Sequence, residues 1–203
     1  MEISSLVPVI ARVCEQMGLR YAVVGSVASG YYGEPRSTRD VDVAVELPSW
    51  SIAEFLANFP EVDFYHSREA ATAAVAHGGQ FNLLHKRSGY KIDVMVPGEA
   101  PFDELQLDRA RTSELVPGEH VRVAAPEDVI LHKLKYFREG GSDKHLTDIA
   151  SMIRIIGWSD SPLRPEPGID RAYVEQWALR VGVMAEWRAI LDRLGVPPRD
   201  VPG

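Results

Sequence analysis

The run YAVVGSVASGYYGEPRSTRDVDVAVEL, residues 21–47, constrains the fold of this chain more than any other stretch. It sets Gly25-Ser26 ahead of two aspartates one residue apart, Asp40 and Asp42. Tyr21 to Val24 reads as an apolar strand that stops at the glycine. Val27 to Tyr32 fits a short helix. The second strand, Asp40 through Glu46, alternates its aspartates with Val41, Val43 and Val45. Strand side chains alternate with a period of two, so both carboxylates occupy one face while the valines enter a core. Adjacent carboxylates repel each other, and a hard divalent cation bound through oxygen relieves that repulsion. The pair therefore predicts a Mg²⁺ site at the rim of a sheet.

A third carboxylate follows in YKIDVMV, residues 90–96. Ile92, Val94 and Val96 share one face, and Lys91, Asp93 and Met95 share the other. If this strand lies beside the Asp-Val-Asp strand, Asp93 joins Asp40 and Asp42. Three carboxylates can hold two Mg²⁺ ions, with Mn²⁺ as a substitute, the arrangement used for in-line displacement at phosphorus. Gly25 lacks a Cβ, and Ser26 leads into a helix N-terminus, which favours anions, so this turn is suited to phosphates.

These positions resemble the polymerase-β-type nucleotidyltransferase superfamily, whose signature is an apolar strand, Gly-Ser or Gly-Gly, a helix, Asp-x-Asp and a later strand aspartate. Within it the sequence is most similar to the AbiEii-like toxin nucleotidyltransferases, over roughly residues 20–156. Arg36 and Arg39 stand where those proteins carry a basic residue before the carboxylates. In PEDVILHKLKYFREGGSDKHLTDIASMI, Lys133 matches a helical lysine, while Lys144 and Asp148 match two positions of a second helical element. His145 stands where the group has aspartate.

The resemblance implies an α/β (α+β) nucleotidyltransferase fold: a mixed central β-sheet flanked by helices, followed by a C-terminal helical region. It implies Asp40, Asp42 and Asp93 as catalytic metal ligands, and Gly25, Ser26, Arg36, Lys133 and Asp148 as nucleotide contacts. NTP–Mg²⁺ would bind between sheet and C-terminal helices and pass NMP to an acceptor hydroxyl. An RNA or tRNA 3′ end is the first expectation for that acceptor, then a protein hydroxyl, then a small molecule such as an aminoglycoside. A cognate antitoxin is the implied partner. The competing expectation is a nucleotidyltransferase-fold module that binds nucleotide or a partner protein and transfers nothing.

Composition narrows the classes. The net charge of −7 argues against broad coating of nucleic acid, which needs basic surface. Two local basic strips remain candidates, His85-Lys86-Arg87 with Lys91, and Lys133, Lys135, Arg138 with Lys144. Cys14 is the only cysteine, which excludes an intrachain disulfide and reads as a small core hydrophobe. His132 and His145 lack any HExxH or Cys-His framework, and Ser29 lacks the glycine of a nucleophile elbow. The opening MEISSLVPVIARV has no basic n-region, long apolar run or cleavage site, and no stretch is long enough to span a membrane, so a cytoplasmic location is expected.

Periodicity divides the chain into a catalytic core, residues 1–125, and a C-terminal helical region, 126–203, expected to pack on it. Leu6, Ile10, Val13 and Met17 predict a helix over 4–18 ended by Gly18. Ser49 is expected to cap a helix reaching Asn58, and Ser67 one over REAATAAVA. Strands are expected at 62–65, in QFNLLHK and in YKIDVMV, the last two as antiparallel neighbours. A short helix over 103–108 and a hairpin around Pro117-Gly118 complete the core. Helices are expected at 126–139, 143–156, 170–181 and 183–194, with a proline-rich connector at 157–168 and a frayed end.

Overall fold

The computed structural model describes residues 3–98, 101–159 and 168–197. These divide into two compact units: the described residues of Met1–Tyr31 with Pro35–Ala125, and those of Tyr32–Glu34 with Pro126–Gly203.

The first unit is built on a sheet of seven strands among the described residues. They are β1 (Tyr21–Val23), β2 (Asp40–Val45), β3 (Phe64–Tyr65), β4 (Gly79–His85), β5 (Lys91–Val96), β6 (Arg111–Val116) and β7 (Glu119–Val123), in the order β3-β4-β5-β2-β1-β7-β6. The sheet is mixed. β2 runs parallel to β5 and β1 parallel to β7, while the pairs β1–β2, β3–β4, β4–β5 and β6–β7 are antiparallel. The Asp-Val-Asp strand is therefore central, held on one side by β1 and on the other by β5.

Alternation fixes which way each central strand faces. Val41, Val43, Ile92, Val94, Phe81 and Leu83 are all buried, in matched registers across β2, β5 and β4. Phe81 meets Phe55 of α3 (Ile52–Ala57) edge-on, with ring centroids 6.1 Å apart, and Phe59 continues the cluster to Phe64 at 5.3 Å. Helix α4 (Arg68–His77) lies beside α3 and the β4–β5 ribbon. These rings and branched side chains leave water together, each fully buried one contributing roughly 1.5–3 kcal/mol. Helix α1 (Leu6–Gln16) packs Leu6, Val7, Ile10, Ala11 and Cys14 against the β2-β1-β7 side. Burial pushes the Cys14 thiol up to about 12, so it stays protonated and acts as a core side chain. Helix α5 (Pro101–Arg109) precedes the β6–β7 hairpin, whose turn uses Gly118 at φ +80°.

Two local expectations change. The segment after Pro48 opens as a 3₁₀ turn over Ser49–Ser51, and Ser49 makes no capping bond; Ser51 Oγ instead donates to the Pro48 carbonyl at 2.9 Å. Proline fixes the entry, and the tighter turn satisfies the donors a cap would have taken. Ser67 does cap α4, its Oγ accepting from Ala70 N at 3.1 Å. The first basic strip does not form one face. His85 is buried with its Nδ1 on Ser88 Oγ, Lys86 Nζ donates to the Glu61 carbonyl, and Lys91 turns to the opposite side of the sheet.

The second unit is helical. It comprises α6 (Pro126–Gly140), α7 (Lys144–Ile156), α8 (Arg171–Arg180) and α9 (Met184–Arg193). Acids in the first turn of α6 favour its N-terminus and also find donors. Glu127 accepts from Asp170 N at 2.8 Å, and Asp128 accepts from the Tyr173 hydroxyl at 3.0 Å. Trp187 is fully buried, set at right angles to Trp158. Arg138 donates to the carbonyls of Val181 and Gly182, beyond the end of α8, where a cation complements the helix dipole. Arg138 stays exposed while it makes these bonds. Most of the proline-rich connector and the frayed end lie outside the described residues.

Candidate active site

The face of the central sheet opposite the valine core carries the expected carboxylates. In the parallel β2–β5 register, Asp42 stands directly across from Asp93, and Asp40 directly across from Lys91. Partners in register point the same way, so these four side chains form two adjacent rows on one face. The sheet thus brings the expected carboxylates onto common ground. Asp93 is buried, with 9% of its side chain exposed, while Asp40 is 38% exposed at the rim.

Gly25 explains how Asp42 is accommodated. β1 ends at Val23, Val24 N donates to the Asp42 carbonyl at 2.9 Å, and helix α2 (Gly25–Tyr32) begins at once. Gly25 has φ +62°, and a Cβ built there would fall 1.9 Å from Asp42 Oδ2. Only glycine permits both that backbone conformation and that approach. The next amide, Ser26 N, faces the same carboxylate oxygen at 3.4 Å. Arg36 reaches back from the loop after α2 and donates to Ser26 Oγ at 2.5 Å. Three expected nucleotide contacts, Gly25, Ser26 and Arg36, therefore meet at the start of α2 beside Asp42. A helix start with an adjacent guanidinium is a favourable place for phosphate oxygens.

Lys91 was not among the expected site residues, yet it pairs with two of the expected carboxylates. Its Nζ lies 2.7 Å from Asp93 Oδ2 and 3.5 Å from Asp40 Oδ1. The hydrogen bond to Asp93 holds the ammonium above the ordinary lysine range. The signal was present in the sequence, because residues two apart on a strand share a face. Among the described residues, no group of three or more acidic, histidine or cysteine side chains is already gathered as a metal shell. The donor set nevertheless suits a hard cation. It offers carboxylate oxygens on one face, and Asp93 Oδ1 is buried with no hydrogen-bond partner.

Lys133 and Asp148 are also brought together, within the helical unit. Lys133 Nζ on α6 donates to Asp148 Oδ2 on α7 at 2.6 Å, and both side chains are buried. His132 and His145 flank Tyr136, and burial pulls the His132 imidazole down to about 3, leaving it neutral at ordinary pH.

No family model and no curated protein matches the sequence. Solved structures do match it over nearly the whole chain. An antigenic nucleotidyltransferase-like protein from Paracoccidioides brasiliensis is 21% identical with a TM-score of 0.58, covering 94% of this chain and 92% of that one. ANT(2″)-Ia, solved in complex with adenylyl-2″-tobramycin, is 15% identical with a TM-score of 0.57, covering 91% of this chain and 98% of that one. The solution structure of the same antibiotic-resistance factor gives 14% identity and a TM-score of 0.51, covering 95% and 94% of the two chains. The chain has the nucleotidyltransferase fold. Among the described residues, no helix is long and apolar enough to cross a membrane.

Proposed function

We propose that this protein is a nucleotidyltransferase that passes NMP from an NTP to an acceptor hydroxyl. One observation carries the reading: Asp42 and Asp93 oppose each other in register, with Asp40 on the same face, beneath a helix start that Gly25 opens to Asp42. Asp40, Asp42 and Asp93 would hold Mg²⁺, which supplies charge neutralisation at the phosphates and makes the acceptor hydroxyl more acidic. Ser26 and the α2 amides, with Arg36 beside them, receive the outer phosphates. Asp93, the most buried of the three, takes the proton of the acceptor hydroxyl. The acceptor oxygen bonds to the α-phosphorus as the bond to the bridging oxygen of pyrophosphate breaks, and pyrophosphate leaves. Of the expected nucleotide set, Gly25, Ser26 and Arg36 carry the proposal directly. Lys133 and Asp148 enter it as the ion pair that ties α6 to α7.

The acceptor side follows the same rows outward. Asn82 is in register with Asp93, Leu84 with Lys91, and Tyr65 with Leu84, all three exposed. The net charge of −7 favours a compact or cationic acceptor over a long polyanion. Similarity of fold, over 91% of the chain, to a protein solved with adenylyl-2″-tobramycin points the same way. An RNA 3′ end, together with its antitoxin partner, is the second reading, supported by the resemblance to toxin nucleotidyltransferases. The test is transfer of label from [α-³²P]NTPs to tobramycin-like aminoglycosides and, separately, to tRNA, with Mg²⁺ present. Product that forms with wild type and not with Asp42→Asn supports the proposal. Equal product from a folded Asp42→Asn protein refutes it, and no product with any acceptor favours a module that binds without transferring.

A further inference from the structure

We propose that Lys91 is a built-in counter-ion of the carboxylate site, and that a divalent cation must displace its ammonium to bind. The inference rests on the metal reading given above and adds a control on how the site is loaded.

The geometry is local and specific. Asp93 is almost enclosed, so its charge needs a partner. Its Oδ2 has one in Lys91 at 2.7 Å, while its Oδ1 has no hydrogen-bond partner. The same ammonium stands 3.5 Å from Asp40 Oδ1, across the strand boundary. Lys91 therefore draws on two of the three carboxylates assigned to metal, and a cation bound to those oxygens competes with it directly. The lysine has somewhere to go. Its side chain is 35% exposed, and four methylenes let the amine swing outward without moving β5. Asp93 has no such freedom.

Competition has a directional consequence. A bare metal ion must expel the ammonium into water. A metal ion arriving with a nucleotide brings phosphate oxygens, which offer the displaced ammonium a new anionic partner beside the helix start at Gly25. Lys91 thus weakens the site for metal alone and favours it for metal together with nucleotide. This couples two ligands through one side chain.

The test is Mn²⁺ binding, read by electron paramagnetic resonance of the free ion and by calorimetry, on wild type, Lys91→Met and Lys91→Gln. The expected result is that the neutral variants bind Mn²⁺ about tenfold more tightly without nucleotide, and lose most of that advantage when a non-hydrolysable ATP analogue is present. Equal or weaker Mn²⁺ binding by a folded neutral variant overturns the inference while leaving the metal site standing. No Mn²⁺ binding by wild type or by either variant sinks the metal reading and the inference with it. Wild-type protein provides a second readout that needs no substitution: labelling by an amine-reactive reagent, followed peptide by peptide. Reactivity of Lys91 rises when Mn²⁺ is added if the ammonium is displaced, and unchanged reactivity at saturating Mn²⁺ overturns the inference.

Discussion

Replacing Gly25 with alanine tests the contact on which the site is built. Two costs can be worked from the geometry. At φ +62° an L-residue sits in the left-handed region, which costs roughly 1–2 kcal/mol. The added Cβ would also lie 1.9 Å from Asp42 Oδ2, 2.6 Å from Cγ and 2.8 Å from Cβ. Rotating the carboxylate cannot clear the last of these, because Asp42 Cβ is fixed to a central strand. Overpacking of this kind adds on the order of 1–3 kcal/mol. The expected loss is therefore about 3 kcal/mol, a fall of about 6–12 °C in the melting temperature of a chain this long. The assay is thermal and urea denaturation followed by circular dichroism, carried out as a cycle with Asp42→Ala. That second change removes Oδ2 and Cγ, two of the three atoms in the clash. The double variant should then lose less than the sum of the single losses, by about 1 kcal/mol or more. Additivity within about 0.5 kcal/mol would refute the claim that Gly25 is required by Asp42 rather than by its backbone angle alone.

Two further perturbations probe the helical unit. Lys133→Met leaves Asp148 charged and buried without its 2.6 Å partner, and should cost about 3–5 kcal/mol in urea denaturation, much of it recovered in Lys133→Met with Asp148→Leu; a loss below about 1 kcal/mol for the single change would mean the pair is not a structural tie. His132 gives a pH dependence of definite sign. Its folded value, near 3, lies below the ordinary 6.5, so between those limits the unfolded chain binds a proton that the folded chain does not, and stability falls as pH drops below 6.5. The loss should be on the order of 1 kcal/mol at pH 5.5 relative to pH 8, and His132→Gln should abolish this part of the acid sensitivity. An unchanged acid profile in that variant would contradict it.

Most of the candidate site was legible in the sequence because its signals were local. Period-two alternation put Asp40 and Asp42 on one face and Asp93 opposite its valines, and strand pairing then needed only to bring β5 beside β2. Gly25 was legible as a turn residue, but its second role was not. The approach to Asp42 depends on how β1 and β2 pair, and spacing alone does not contain that pairing. Lys91 was visible on the same strand face as Asp93, yet its tie to Asp40 also needed the β2–β5 register. Lys133 and Arg138 show the opposite case. Both read as parts of a basic strip, because charge along a helix says nothing about which neighbours engage it. In the fold one is enclosed with Asp148, and the other donates to carbonyls beyond the end of α8. The 3₁₀ turn after Pro48 was not legible for a smaller reason, since a serine that follows a proline reads the same whether it caps a helix or opens a tighter turn.

The most direct test of the central claim is a thermal-shift titration of wild type and Asp42→Asn with each NTP, with and without Mg²⁺. At about 100 times its Kd, a bound nucleotide adds roughly 2.7 kcal/mol of stability. The account predicts a shift of about 5–10 °C that requires Mg²⁺ and is lost in a folded Asp42→Asn protein. A shift of the same size without Mg²⁺, or one retained by Asp42→Asn, would contradict the assignment of this sheet face as a metal-dependent nucleotide site.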